Sequence, residues 1–332
     1  MSNTTGSTKV LNAVIIGCGA IAGGYDEGQS SSDVLTHAKA YQQHPGFSLV
    51  GCVEPDQGRR EQFMKAWGIE SGFSTLKELN ASDIEFDVAS ICTPTADHAG
   101  ALEKLLNHSI NGVLCEKPLS DDLDTSTTLV ESYASAKIPL AVNYLRRWDE
   151  SLEHLKKNIA DNQWGHLQTA VCHYGKGIRH NGGHMVDILQ FLFGPLTPLE
   201  VFHQQTDHTE SDLTLDALLQ TQSGAGIKLI GTDSRLYDVF EATLTFEKGQ
   251  IVLEQGMSVI RERPADDNPR FTGHRALAEG TRRESAQGQA LYRAVDNLYK
   301  AVTEGAPLAS DGRTALTAQE VCEKLLKMAP KQ

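Results

Sequence analysis

The tetrapeptide Cys115-Glu116-Lys117-Pro118 closes a short apolar run and puts a lysine where a buried strand should end. A lysine at such a mouth can give a proton or a hydrogen bond to a substrate oxygen while hydride moves to or from the adjacent carbon. Its plainer reading is an exposed strand-end cation. Further on, His180-Asn181-Gly182-Gly183-His184-Met185-Val186-Asp187 leads into an apolar stretch. His184 and Asp187 share one helix face, where an imidazole could relay a proton and a carboxylate could bind or orient a substrate. The plainer reading there is a structural histidine. A zinc site needs a further ligand that the sequence does not nominate, so no metal is assigned.

The turn Gly17-Cys18-Gly19-Ala20-Ile21-Ala22 fits G-x-G-x-x-A directly after the apolar run Ala13 to Ile16. There the first glycine permits a tight turn, and the second lets amides at a helix start approach a pyrophosphate. Gly23 and Gly24 make that helix start flexible. The second apolar run ends in Glu54, an acid placed to accept bonds from ribose hydroxyls and to repel a 2′-phosphate, which favours NAD over NADP. The spacing between turn and acid exceeds the usual ~20 residues, and Tyr25 to Thr36 reads as an insertion. Arg59 and Arg60 stand close enough to serve a 2′-phosphate, so NADP is not excluded. Cys92-Thr93-Pro94-Thr95-Ala96-Asp97-His98 follows another apolar run, at the edge where open parallel sheets bind ligands, with Thr95 or Asp97 available to cap a helix.

These positions need elements to hold them. A chain of 332 residues predicts two domains, set here at 8–145 and 146–332. In the first, Ala13 to Ile16, Phe47 to Val53, Val88 to Cys92, Gly112 to Cys115 and Leu140 to Asn143 are near-continuous apolar runs, as expected of parallel strands covered on both sides. The stretches between them read as helices, most clearly Asp97 to Asn107. In the second, Leu167 to His173, Leu213 to Gln220, Ala225 to Gly231, Ala242 to Phe246 and Gln250 to Glu254 alternate, which predicts a mostly antiparallel sheet. Met185 to Phe193, Gln287 to Thr303 and Ala318 to Met328 read as helices, and the charged stretch Arg261 to Arg283 as a long excursion or mobile loop.

Composition narrows the partners. A formal charge of −13 with no basic block argues against nucleic acid as the main partner. Six cysteines without CxxC spacing read as buried thiols in a reducing compartment. No window approaches a membrane span, and the polar Met1 to Lys9 reads as the frayed start of a cytoplasmic protein.

Taken in order, these residues resemble the glucose-fructose oxidoreductase and inositol dehydrogenase family, Gfo/Idh/MocA, over nearly the whole chain. The glycine turn, Thr93-Pro94-Thr95 with His98, Glu116-Lys117-Pro118, Val142-Asn143-Tyr144-Leu145-Arg146-Arg147, the His184 and Asp187 helix and the alternating sheet carry it. The resemblance implies an α/β fold: an N-terminal Rossmann-type parallel sheet plus a C-terminal α+β domain with an open-faced, mostly antiparallel sheet. It places nicotinamide and substrate in the cleft between the domains, and it implies a homodimer or homotetramer formed through the C-terminal sheet. The cofactor set becomes Gly17, Gly19, Ala20, Ile21, Glu54, Thr93, Pro94, Thr95, His98, Glu116, Lys117 and Asn143.

The implied activity is hydride transfer between NAD and a secondary alcohol or ketone of a sugar, sugar nucleotide or polyol, with Lys117 and His184 managing the hydroxyl proton. Substrate contacts would come from Arg146, Arg147, Tyr174, Lys176, Arg179, His180, Asn181 and Asp187, a cationic set able to hold a carboxylate or phosphate. For Arg146 and Arg147 the alternative is ion bridging beneath the domain junction. One departure stands out: many members carry an aspartate where this chain has His180. Lys117 then needs another partner, Asp187 or Tyr174, or the proton takes a different path. Two rival functions remain, a non-catalytic dinucleotide sensor and an enzyme that uses tightly held NAD to eliminate or hydrolyse a glycosidic group.

Overall fold

A computed structural model describes residues 9–330, and the expectation for Met1 to Thr8 lies outside them. The chain forms two units, the residues up to Trp148 with Gly288–Leu316, and Asp149–Gln287 with the residues from Thr317 on.

The first unit alternates β1 (Leu11–Ile16), α1 (His37–Gln43), β2 (Phe47–Val53), α2 (Gln57–Trp67), β3 (Ser71–Phe73), α3 (Leu76–Asn80), β4 (Val88–Ile91), α4 (Thr95–Leu106), β5 (Gly112–Cys115), α5 (Leu123–Ala136) and β6 (Leu140–Val142). The six strands pair in parallel in the order β3-β2-β1-β4-β5-β6. Every residue of β4, β5 and β6 is buried, so no polar face interrupts their sequence. Register then does the positioning. Val53 pairs with Ile16, Ile16 with Ile91, Ile91 with Cys115 and Cys115 with Val142. The next residue of each strand, Glu54, Gly17, Cys92, Glu116 and Asn143, therefore falls in one row along the carboxyl edge. The strand order reverses between β1 and β4, which is where such a sheet opens a crevice.

The glycine turn departs from expectation, because no lasting helix starts there. The amides of Gly23 and Gly24 both reach the Gly19 carbonyl and Tyr25 reaches Ala20, one helix-like turn, and a 3₁₀ turn at Gly24–Asp26 follows. Gly23 and Gly24 favour no continued helix, and α1 begins only at His37, with the Thr36 side chain accepting from the Lys39 amide.

The second unit contains α6 (Glu150–Ala160), β7 (Leu167–Tyr174), α7 (Gly183–Phe193), β8 (Leu196–Thr209), β9 (Asp212–Thr221), β10 (Gly226–Gly231), β11 (Glu241–Phe246), β12 (Gly249–Glu254), β13 (Val259–Asp267), β14 (Arg275–Leu277) and β15 (Thr281–Glu284). Its sheet runs β14-β13-β12-β11-β7-β10-β9-β8, with β15 against β13, and only β7 and β10 pair in parallel. The stretch from Arg261 to Arg283 is thus largely strand rather than a mobile excursion. Its cross-strand partners are charges, Arg261 and Arg282 on Glu254 and Arg283 on Glu262, so the hydrophobic alternation that announces a strand is missing.

Two helices close the chain, α8 (Ala290–Glu304) and α9 (Gly312–Met328). The expected boundary near residue 145 misses that α8 returns to the first unit. Leu291, Ala294, Val295 and Leu298 bury their stripe in the same core as Tyr41, Leu114 and Trp148, and Leu298 closes over Gly112. An amphipathic pattern shows that a helix has a partner and not which one. Leu298→Ala should cost about 3 kcal/mol of stability, read by urea denaturation; a loss below about 1 kcal/mol would put α8 outside that core.

Candidate functional site

The ends of β1, β2 and β4 open onto a cleft of about 650 Å³ lined by Gly17, Gly19, Glu54, Arg59, Thr93 and Lys104 among others. Gly17 has φ +88°, and a Cβ there would lie 2.8 Å from the Cys92 carbonyl carbon and the Thr93 nitrogen, so only glycine permits β1 and β4 to approach this closely. Gly19 is different, because a Cβ there meets nothing within 4 Å. Ala20 and Ile21 continue the turn as exposed and half-buried residues.

Glu54 is buried, and its carboxylate is already oriented. Oε2 accepts the Cys18 amide at 3.0 Å and Oε1 the Asp56 amide at 3.1 Å. Each oxygen keeps a lone pair for a ribose hydroxyl. Arg60 is committed to the Glu54 main-chain carbonyl, while the exposed Arg59 lies 3.6 Å from Glu54 Oε1. Of the two arginines weighed for a 2′-phosphate, Arg59 lines the cleft and Arg60 does not.

After β4 the side chain of Thr93 presents a buried Oγ1 with no partner among the described residues. Pro94 occupies the N-cap of α4 without a side-chain bond, so Thr95 stands inside the helix and neither it nor Asp97 caps it. The N-terminal amides of α4 are thereby left for something other than a cap. An orphaned hydroxyl, uncapped amides, an oriented carboxylate and a glycine-lined approach fit a dinucleotide. His98 needs correction. It is buried, with Nδ1 2.7 Å from the Pro118 carbonyl and Nε2 2.9 Å from the Thr93 carbonyl, so both ring nitrogens are taken by two loops.

Glu116 follows β5 and Lys117 comes next. Burial works against the Glu116 charge, yet hydrogen bonds from His37 and Asn143 and the nearby Lys117 ammonium hold its carboxyl below the usual range. Asn143 gives Nδ2 to Glu116 Oε1 at 2.6 Å, and its own Oδ1 is buried without a partner among the described residues. Arg146 and Arg147 lie on a 3₁₀ turn at Leu145–Trp148, where Arg147 is buried with Nη1 3.5 Å from the Ala309 carbonyl. Burial pushes the Cys92 and Cys115 thiols up, which leaves them protonated and chemically quiet.

In the second unit the candidate residues gather on a π-helical turn, Gly177–Gly182, that runs directly into α7 with His184 and Asp187. Two acids missed at the sequence level hold this turn. Asp207 accepts the amides of Lys176 at 2.7 Å and Ser234 at 3.1 Å and the Thr214 hydroxyl at 2.6 Å. Asp212 accepts the amides of Arg179 and His180, both at 2.9 Å. Their sequence signal is thin, two acids flanking a hairpin. Gly177 must be glycine, with φ +76° and a would-be Cβ 2.2 Å from Asp212 Oδ2. His180 is exposed with its ring 5.4 Å from that of His208, and Asn181 is half-buried.

The expected substrate set shrinks here. Tyr174 is fully buried, its hydroxyl giving to the Leu215 carbonyl at 2.9 Å and accepting the Leu215 amide at 2.8 Å, so it is a core residue and no partner for Lys117. Arg179 grips Glu323 with Nε and Nη2 and the Ser211 carbonyl with Nη1, which spends its fork on the fold. Lys176 Nζ lies 3.2 Å from Asp238. The cations that suggested an acidic substrate are in large part structural.

Among the described residues no helix is long and apolar enough to cross a membrane. The chain is 27% identical over 199 residues to an inositol 2-dehydrogenase of Mycolicibacterium vanbaalenii, covering 54% of this chain and 57% of that one. It is 23% identical over 216 residues to a D-apiose dehydrogenase of Paraburkholderia graminis, covering 60% and 54%. The matched stretch thus spans little more than half the length of these relatives. The fold matches the WlbA dehydrogenase of Bordetella pertussis, solved with NADH and UDP-GlcNAcA, with a TM-score of 0.79 at 18% identity over 97% of this chain and 96% of that one. A family model described as an oxidoreductase family with an NAD-binding Rossmann fold matches residues 11–144. Those residues, which hold the glycine turn, Glu54, Thr93, Lys117 and Asn143, are thus similar to the Gfo/Idh/MocA oxidoreductases.

Proposed function

We propose that this chain is an NAD-dependent oxidoreductase acting between a secondary alcohol and its ketone on a sugar, sugar nucleotide or polyol. The observation that carries the reading is the row of strand ends, where an oriented acid, orphaned buried acceptors and a lysine share one edge of the sheet. NAD, when bound, accepts or returns the hydride. Glu54 would hold the adenosine ribose, and the turn from Gly17 to Ile21 with Thr93 to Thr95 would cradle the phosphates. Lys117 would hold the hydroxyl proton of the substrate. The relatives named for inositol and apiose and the neighbour solved with a nucleotide sugar support this substrate class.

The test is NADH formation with a panel of inositols, aldoses and nucleotide sugars, beside fluorescence titration of NADH and NADPH. NADH should bind at least about tenfold tighter than NADPH, a difference of ~1.4 kcal/mol. Glu54→Gln keeps the shape, drops the charge and should erase most of that preference. Equal binding of both cofactors by the wild type would contradict the role given to Glu54.

A further inference from the structure

Glu116 is the outer end of a buried chain of side chains that hydride chemistry does not explain. Its Oε1 meets His37 Nε2 at 2.9 Å as well as Asn143 Nδ2 at 2.6 Å. His37 Nδ1 meets Ser90 Oγ at 2.9 Å, and Ser90 Oγ meets the Tyr41 hydroxyl at 2.8 Å. His37, Ser90 and Tyr41 are each 0% exposed. Such burial leaves no water to complete their hydrogen bonds.

The direction of the chain follows from counting hydrogens. An ionised carboxylate only accepts, so His37 Nε2 carries the hydrogen that faces Glu116. Tyr41 has one hydrogen and Ser90 as its acceptor, so Tyr41 donates to Ser90. Ser90 then donates to Nδ1. This order, Tyr41 to Ser90 to His37 to Glu116, gives every hydrogen an acceptor. An imidazolium would donate from Nδ1 to Ser90 and leave either the serine or the tyrosine hydrogen without an acceptor in this chain.

The Tyr25 to Thr36 insertion delivers His37. Asp26, itself buried, accepts the Leu35 amide at 2.9 Å, the Thr36 hydroxyl at 2.8 Å and Lys39 Nζ at 3.1 Å. Lys39 Nζ also reaches the Ser31 carbonyl at 2.8 Å. The loop is thus stapled onto the first turn of α1, which starts at His37.

We propose that His37 is a positioning residue whose Nε2 hydrogen fixes the Glu116 carboxylate and, through it, the Asn143 carboxamide, leaving Asn143 Oδ1 as the acceptor for a donor hydrogen of the bound dinucleotide. This rests on the dinucleotide reading above. Asn143 is 4% exposed with Oδ1 unpartnered among the described residues, so the acceptor is held ready and empty-handed within the protein. Without His37 the carboxamide loses the fixed partner that decides which end faces the ligand.

Two substitutions separate the two ring nitrogens. A glutamine amide reaches about as far as Nε2 and can still donate to Glu116, whereas an asparagine amide reaches only as far as Nδ1 and serves Ser90. His37→Gln should bind NADH within about threefold of wild type, and His37→Asn at least tenfold more weakly, the loss of one bond to a charged group. A merely structural role predicts affinities that follow the melting temperatures, which should fall comparably since each variant strands one buried partner. Wild-type NADH affinity in a folded His37→Asn overturns the proposal. A wild-type chain that binds no NADH overturns the dinucleotide reading beneath it. Should His37→Asn not fold, ¹⁵N spectra of the wild-type imidazoles decide: a hydrogen on His37 Nε2 supports the proposal, and a bare Nε2 overturns it.

Discussion

Lys117→Ala should bind NADH within about threefold of wild type and lose turnover by about 10³, measured as NADH formation with the best substrate of the panel. Lys117 follows a carboxylate that keeps its charge in spite of burial, because His37 and Asn143 bond to it. A lysine there can donate to a substrate oxygen when a ketone is reduced. Lys117→Arg separates proton transfer from charge. Arginine keeps the positive charge and does not give up its proton near neutral pH, so it too should lose most of the turnover. Full activity in Lys117→Arg would reduce the lysine to an electrostatic anchor, and full activity in Lys117→Ala would remove it from the chemistry.

The row of strand ends was legible for a physical reason. In a parallel sheet buried on both faces, each strand is an apolar run, and the first polar or glycine residue after it marks the carboxyl edge. Gly17, Glu54, Thr93, Glu116 and Asn143 are such residues or stand next to one, and register needs only to align them. His98 was found by the same logic and given the wrong task, since its position after β4 is visible and the Thr93 and Pro118 carbonyls that take both its nitrogens are not. His37, Ser90 and Tyr41 stayed hidden because each pairing joins distant segments. Ser90 sits inside a four-residue apolar run, where a serine looks like filler. Asp207 and Asp212 were hidden in a similar way, as acids on a hairpin whose turn-holding role appears only when the π-helical turn folds onto them. Tyr174 looked like a substrate contact because a tyrosine near a polar cluster suggests an exposed hydroxyl, and the β9 backbone takes that hydroxyl instead.

Gly17 and Gly19 should fail in different ways, and the difference tests the dinucleotide cleft itself. At Gly17 both the backbone and the space demand glycine, with φ +88° and Cys92 and Thr93 main-chain atoms 2.8 Å from a new Cβ. Gly17→Ala must push β4 away from β1 at the carboxyl edge, so it should lower the melting temperature and weaken NADH binding together. At Gly19 the protein makes no such demand, because φ is not in the left-handed region and a Cβ meets nothing within 4 Å. Gly19→Val should therefore melt as the wild type does. If amides of this turn approach a pyrophosphate, the added side chain occupies the space through which the phosphates must come, and NADH affinity should fall by about 100-fold, or ~2.7 kcal/mol. A glycine that the fold does not need and the ligand does is a direct mark of a binding surface. Wild-type NADH affinity in Gly19→Val would mean that the dinucleotide lies elsewhere, and the row of strand ends would lose the cofactor role proposed for it.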